Sequence, residues 1–279
     1  LQPYTLSLND AIYKITNLSN LHLNHDKLCY EAGEALAEAL CTNPNLKCLD
    51  LSSKKLCNGA GQEIFRALGN NNTVTNLNLE NNYLGDDTIM ALAKALNKNT
   101  SLICLNLRNN RFDSKAIKTL AEALCKNITL TNLNLSNNKL DEFGEKALAT
   151  LFQNTALTNL DLNENNLGES GVKSLSEALC TNTTLTNLDL SKNGLGYSKV
   201  KILAEALCKN NTLTNLNLQR NNLGESGGKA LAEALCKNNT LTNLNLQHNS
   251  LGESGGKALA EALCKNTTLT NLNLQYNNL

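Results

Sequence analysis

The 279-residue chain has no tryptophan, one methionine, two prolines and three histidines, and aromatic residues make up only 4% of it. So few large rings leave an ordinary globular core short of its usual filling. Charge of one sign is missing as well: 25 Lys+Arg balance 25 Asp+Glu. A nucleic-acid binder needs a basic stripe to neutralise phosphates, and a net charge of zero argues against one. No run of apolar residues approaches the ~18 that a membrane-spanning helix requires. A basic-then-apolar leader is absent, and the first residue is Leu1 rather than Met, which is consistent with a fragment or with a removed leader.

What is present is repetition, and it decides the architecture. The stretch LTNLNLQRNNLGESGGKALAEALCKNNT from Leu213 to Thr240 returns from Leu241 to Thr268 with changes only at Arg220/His248, Asn222/Ser250 and Asn239/Thr267. Equivalent units open at Leu18, Leu46, Val74, Leu102, Leu130, Leu157 and Leu185, and a partial tenth opens at Leu269. The period is 28, except for 27 between Leu130 and Leu157. The division is therefore a 17-residue N-terminal segment, residues 1–17, and one domain of nine full repeats and a partial tenth, residues 18–279.

Each unit opens with apolar–polar alternation, as in Leu213-x-x-Leu216-x-Leu218, which predicts a short strand. Asn221 and Leu223 follow, and a turn is expected at Gly224. Ser226 is expected to cap a helix, whose Leu231, Ala234 and Leu235 recur at helical spacing opposite Lys229 and Glu233. A strand–helix unit repeated in one direction gives a parallel sheet with all helices on one side. One unit cannot bury its leucines alone, so neighbours must cover them.

L-x-x-L-x-L-x-x-N-x-L at a period of 28, with an Ala/Leu-rich helix in each unit, resembles the ribonuclease-inhibitor type of leucine-rich repeat, from about Leu18 to Leu279. The resemblance implies an α/β leucine-rich-repeat solenoid: a right-handed horseshoe, parallel sheet on the concave face, helices on the convex face. Geometry gives curvature independently. Strands ~4.8 Å apart are stacked against helices that need ~8–10 Å, so each repeat turns by roughly 20°.

Asn82, Asn110, Asn138, Asn165, Asn193, Asn221, Asn249 and Asn277 hold the ninth position. They read as inward amides that satisfy backbone groups at the strand–loop bend, rather than as a binding ladder. Asp26 and Lys54 replace them in the first two repeats, which predicts a less regular N-terminal end. Leu8 and Ile12 predict a capping helix over residues 6–14. Leu269, Leu272, Leu274 and Leu279 are expected on an exposed edge, so either the natural chain continues past Leu279 or this edge associates with another molecule.

Six cysteines, Cys41, Cys125, Cys180, Cys208, Cys236 and Cys264, end helices in one column, too far apart for disulfides. They read as small buried hydrophobes in a reducing, cytoplasmic compartment. Pairing of Cys29 with Cys57 stays open. Seven of eight N-x-S/T sequons share one turn column, which points to turn chemistry rather than glycans. The Gly224–Gly228 and Gly252–Gly256 segments match G-x-S-x-G, but no histidine recurs with the serine, so turn chemistry is the better reading. Gly228-Lys229-Ala230 is no phosphate loop, since the spacing is short and Ala230 stands where a hydroxyl is needed. Glu205, Glu233 and Glu261 read as a solvated face, and surface placement is expected for the three histidines. Nothing in the sequence calls for catalysis, a cofactor or a bound metal.

Binding is therefore sought in the departures from the repeat. The third, fifth, seventh and eighth positions should write the concave face. Glu80, Arg108, Glu164, Lys192, Arg220, His248 and Tyr276 vary at the seventh or eighth position. Asp50, Asp161 and Asp189 add charge at the fifth, and Tyr83 and Arg111 lie on the adjoining loop. These twelve are the candidate partner-binding residues of a non-enzymatic protein–protein interaction module. Domains similar to this one act as inhibitors, as sensor regions of NOD-like receptors and as effectors of intracellular bacteria. The resemblance extends to Ran GTPase-activating proteins, which gives a regulator of a small GTPase as the alternative, beside a host-directed bacterial effector, whose delivery would place it inside a host cell. A purely structural array is a third class.

Overall fold

The computed structural model describes residues 17–23, 28–53, 55–112, 114–140 and 142–279. The expected cap over 6–14, with Leu8 and Ile12, and the substitutions Asp26 and Lys54 lie outside the described residues. Ten three-residue strands form one parallel sheet in sequence order. They are β1 (Asn20–His22), β2 (Cys48–Asp50), β3 (Asn76–Asn78), β4 (Cys104–Asn106) and β5 (Asn132–Asn134), followed by β6 (Asn159–Asp161), β7 (Asn187–Asp189), β8 (Asn215–Asn217), β9 (Asn243–Asn245) and β10 (Asn271–Asn273). Between them run α1 (Tyr30–Thr42), α2 (Asn58–Leu68), α3 (Asp86–Leu96), α4 (Ser114–Lys126) and α5 (Glu142–Leu151), then α6 (Glu169–Leu179), α7 (Gly196–Leu207), α8 (Gly224–Leu235) and α9 (Gly252–Leu263). Register follows the repeat: Leu188 on β7 lies beside Leu160 and Leu216. The 27-residue unit does not disturb it, because Leu133 still lies beside Leu160.

Alternation turns the central leucine of each strand toward the helices and its two neighbours away. Leu213, Leu216, Leu218, Leu223, Leu231, Ala234 and Leu235 are all buried, and their counterparts join into one core from Leu28 to Ala262. Burial of each leucine contributes about 1.5–3 kcal/mol. At the two ends Leu21 and Leu23, and Leu269, Leu272 and Leu274, are only partly covered, and Leu279 is exposed. All ten strands present their other face to one open hollow, so the helices occupy a single side.

Strands this short leave most of each unit's backbone outside the ladder. The ninth-position asparagines answer for it at one end. Asn193 donates through Nδ2 to the carbonyls of Leu190 (3.0 Å) and, one repeat back, Leu162 (2.9 Å). Its Oδ1 accepts the N–H of Asn165 at 3.0 Å. The same bonds recur at Asn110, Asn138, Asn165, Asn221 and Asn249. A second set, read in the sequence as turn chemistry without its partners, works where helix returns to strand. Asn210 accepts the N–H groups of Thr212 (3.1 Å) and Leu213 (2.8 Å) and donates to the Leu179 carbonyl at 2.9 Å. Asn71, Asn99, Asn127, Asn182 and Asn238 do the same. These are the sequon asparagines. The amide nitrogens of these six are buried and engaged, which leaves them unavailable to a glycan in the folded chain.

Two expectations are corrected. Ser226 does not cap α8. The helix begins at Gly224, Leu223 precedes it in helical conformation, and no side chain caps it. Gly224 turns at φ +66°, a conformation that favours glycine, and gives its N–H to the Asn249 carbonyl of the next repeat (3.0 Å), so a serine cap is not needed. The helix-end cysteines are not buried: Cys41, Cys236 and Cys264 are exposed and Cys125, Cys180 and Cys208 half-buried. Each but Cys264, which follows the exposed Leu263, comes directly after a helix-end leucine of the core, and one residue further turns the side chain about 100° off the core. All ten cysteines are free, Cys29 and Cys57 included. The Cys57 sulfur instead accepts the Ala60 N–H at 3.4 Å, at the start of α2.

Replacing Asn193 strands buried N–H and C=O groups on two repeats. Asn193→Ala should lower the free energy of unfolding by roughly 2–4 kcal/mol, since each buried group left unpaired costs about 1–3 kcal/mol. The exposed Asn211→Ala should change it by less than about 0.5 kcal/mol. Urea denaturation of the two variants compares them directly.

Candidate functional site

The hollow of the sheet has a volume of about 920 Å³ and is lined by third- and fifth-position residues from β1 to β10. Of the candidates, Asp50, Asp161 and Asp189 lie in it. Its charged lining is acidic, without a Lys or Arg among the described residues. The third-position asparagines form their own chain of amides: Asn187 donates to Asn159 (2.8 Å), Asn215 to Asn187 and Asn243 to Asn215. Cys48 and Cys104 take that position on β2 and β4, and His22 takes the fifth on β1. Those three were passed over in the sequence, although their column alone places them here.

The three aspartates differ. Burial by itself would push the Asp50 carboxyl up. Hydrogen bonds from Ser52, His22 and Asn78 together outweigh that and hold it below its ordinary value. His22 Nδ1 lies 3.5 Å from Asp50 Oδ2. Asp161 goes the other way. Burial pushes its carboxyl up, and the charge of Asp189, its partner across the β6–β7 register, pushes in the same direction. The Asn163 N–H and the Arg108 charge offset this only in part. Burial also raises the Cys104 thiol, with Cys48 adding to it.

The seventh- and eighth-position candidates are not among the residues that line the hollow. Backbone bonds to the next repeat continue to the eighth position, as from Arg220 to Gln247, and there the chain bends away, so these side chains form a rim along the hollow. The bend has a sharp local cause. Glu164, Lys192, Arg220, His248 and Tyr276 at the eighth position, and Tyr83 and Arg111 at the tenth, all have φ between 53° and 61°. Two left-handed residues thus flank each ladder asparagine and point it inward, at a cost of about 1–2 kcal/mol per non-glycine residue.

Along the rim the candidates touch one another. Arg108 Nε lies 3.4 Å from Glu80 and its Nη2 3.9 Å from Glu164, two repeats on, while Lys192 Nζ lies 3.6 Å from the same Glu164 carboxylate. Arg111 stands over the Tyr83 ring, 4.9 Å from its centre. His248 and Tyr276 stack with ring centres 4.3 Å apart and planes within 1°. Arg220, between Lys192 and His248 in the same column, has no ion pair among the described residues. These groupings were not visible in the sequence, because they join residues 28 to 56 positions apart.

The other motifs fall away from this face. Both G-x-S-x-G segments form first turns of α8 and α9 on the convex side, and Glu205, Glu233 and Glu261 are exposed there. The Ser254 hydroxyl is buried without a partner. Among the described residues no three His, Cys, Asp or Glu side chains converge as metal ligands, and no helix is long and apolar enough to cross a membrane.

A parallel one-sided sheet, one helix per unit and an asparagine at each bend define an α/β solenoid of leucine-rich repeats. Family models described as leucine-rich repeat match residues 98–121, 153–176, 181–198, 209–232 and 237–260, and a second one matches 129–151. Those stretches are leucine-rich repeats, and the chain folds as a leucine-rich-repeat solenoid. Among solved structures it is similar to the leucine-rich repeat-containing protein LegL7 from Legionella pneumophila, with 22% identity and a TM-score of 0.62 over 91% of this chain and 81% of that one. It is also similar to a chain of the yeast Rad7 and Elc1 complex, with 20% identity and a TM-score of 0.59 over 96% of this chain and 66% of that one. A piece described as leiomodin-1 actin-binding site 2 is 31% identical over 39% of this chain and 64% of that one, with a TM-score of 0.37. The chain thus spans just under two thirds of the latter two. No curated protein sequence matches it significantly.

Asp161→Asn should stabilise the protein at neutral pH. A carboxyl whose folded-state pKa is raised contributes stability below its unfolded value and loses it as pH rises through the folded value. The variant should therefore melt higher than the parent at pH 7. The gap should shrink as pH falls through the carboxylate range and vanish once both side chains are uncharged. Thermal unfolding from pH 7 to pH 3 reads this.

Proposed function

We propose that the chain is a non-enzymatic interaction module that holds a partner protein against the hollow of its sheet and the rim beside it. The observation that carries this is where the non-repeating residues stand. The twelve candidates lie in the hollow or along one rim, and ten of them touch another of the set or oppose it across two strands. Arg and Tyr, which dominate binding hot spots, are on that rim. Tyr276 is 69% exposed and Tyr83 49% exposed. Large side chains held there at positive φ fit a surface kept for contact, since the bend itself is met at less strain by Gly194.

The 28-residue period with a full helix per unit favours the ribonuclease-inhibitor type of repeat, and the unbroken core favours one repeat domain from 18 to 279. Free thiols on the surface favour a reducing compartment, cytoplasmic or, for a bacterial effector, that of a host cell. A zero net charge disfavours nucleic acid as the partner.

Changing Glu80, Arg108, Arg220 and Tyr276 together to alanine should abolish binding of the partner that the unaltered chain captures, while the melting temperature falls by only a few degrees. Unchanged affinity would refute the mapping. If the partner is a small GTPase, the alternative reading as its regulator requires that one rim substitution remove stimulation of nucleotide hydrolysis, and hydrolysis assays of single variants decide it.

A further inference from the structure

The repeats supply an internal control for the charges in the hollow. The fifth position has one structural role, in which its side-chain oxygen accepts the N–H of the seventh. Asn78, Asn106, Asn134, Asn217, Asn245 and Asn273 fill it at 2.8–3.1 Å. Asp50, Asp161 and Asp189 fill it at 2.8–2.9 Å. A neutral amide meets the need in six repeats, so the fold gives no reason for a negative charge in the others.

At Asp161 and Asp189 the charge is a cost. The two residues are paired across adjacent strands, at a spacing of about 4.8 Å. Like charges directly opposite one another destabilise a sheet. Asp50 has His22 beside it, and the second oxygen of Asp189 accepts from Asn217 Nδ2 at 2.8 Å. The second oxygen of Asp161 has no hydrogen-bond partner among the described residues. The nearest cation on this side, Arg108, is already engaged by Glu80 and Glu164 on the rim. Ligation by a cation from outside would relieve the repulsion, and a guanidinium can bridge two carboxylates with several charge-assisted bonds.

We propose that Asp161 and Asp189 seat a lysine or arginine side chain of an extended segment of the partner protein, laid across the strands of the hollow. The proposal rests on the concave face being the partner-binding surface. Shape favours a chain segment over a small amine: the lining runs over ten strands, about 40 Å, and presents amides along its whole length to main-chain groups. Charge complementarity favours a basic one, because the described lining of the hollow holds carboxylates and no Lys or Arg.

The test uses a fluorescein-labelled nonapeptide of glycine and serine with arginine at three alternate positions, a second peptide with glutamine at those positions, and fluorescence anisotropy at low ionic strength. The arginine peptide should bind the unaltered chain and the glutamine peptide should not. The double variant D161N/D189N, with the residue found at this position in six other repeats, should bind the arginine peptide at least tenfold more weakly. E205Q/E233Q removes the same charge from exposed convex helices and should bind within twofold of the parent. Equal loss in the two variants, or loss in neither, overturns the proposal. Carboxyl carbon resonances of Asp161 and Asp189 that saturate with submillimolar calcium chloride, without peptide binding, give the pair to a metal ion and overturn it too. If D161N/D189N keeps the peptide while the quadruple alanine variant still loses the partner, the anchor fails and the wider reading stands. Retention of the partner by the quadruple variant overturns that wider reading and this proposal with it.

Discussion

Backbone bonds between repeats run from the second to the eighth position of each unit, as from Thr214 to Thr186 and from Arg220 to Gln247, and at both ends of that stretch, where the chain turns away, buried asparagines take up the N–H and C=O groups that remain. A primary amide suits this role since it donates and accepts from one small planar group. At the end of each strand, Asn193 and its equivalents tie a repeat both to itself and to the unit before it. At the start, Asn210 and its equivalents do the same from the helix side. Leucine burial supplies the larger free energy, but it is non-directional, and the amides fix how one unit sits on the next. Stability in such an array is close to a sum over units and their interfaces, so losses at one rung stay local.

The arc and its layers were legible in the sequence because they depend on columns. A period of 28 with apolar residues at fixed positions dictates which side chains share a face, and Leu213, Leu216 and Leu218 lie where that pattern puts them. The ladder at Asn221 was legible for the same reason. What was not legible depends on conformation within a column. Asn210 reads only as a turn residue until its partners in the unit before are seen. Ser226 looks like a cap until Gly224 is found to turn directly into the helix. Cys236 looks like one more core residue until helical rotation places it past the last leucine.

The candidate site was legible as a set but not as an arrangement. Departures from the repeat mark residues that the fold does not require, which is how Glu80, Arg108 and Tyr276 were found. Their division between hollow and rim follows from the paired left-handed residues around each ladder asparagine, which no propensity predicts for Glu164, Lys192 or His248. Their coupling follows from stacking: an Arg108 side chain can reach a carboxylate two units away because repeats bring residues 56 positions apart within a few ångströms. Structure and recognition are thus separated by position. Ninth-position amides hold the array, while the fifth, seventh and eighth positions are left to vary around it.

Backbone amide hydrogen exchange, followed residue by residue by NMR, tests the amide scaffold most directly. The N–H groups of Asn165, Asn193 and Asn221, and those of Leu185, Leu213 and Leu241, have side-chain amide oxygens as their acceptors. They should exchange as slowly as the strand amides of Leu188 and Leu216. Exchange at the rate of exposed loops would contradict the claim that buried asparagines hold the repeats together.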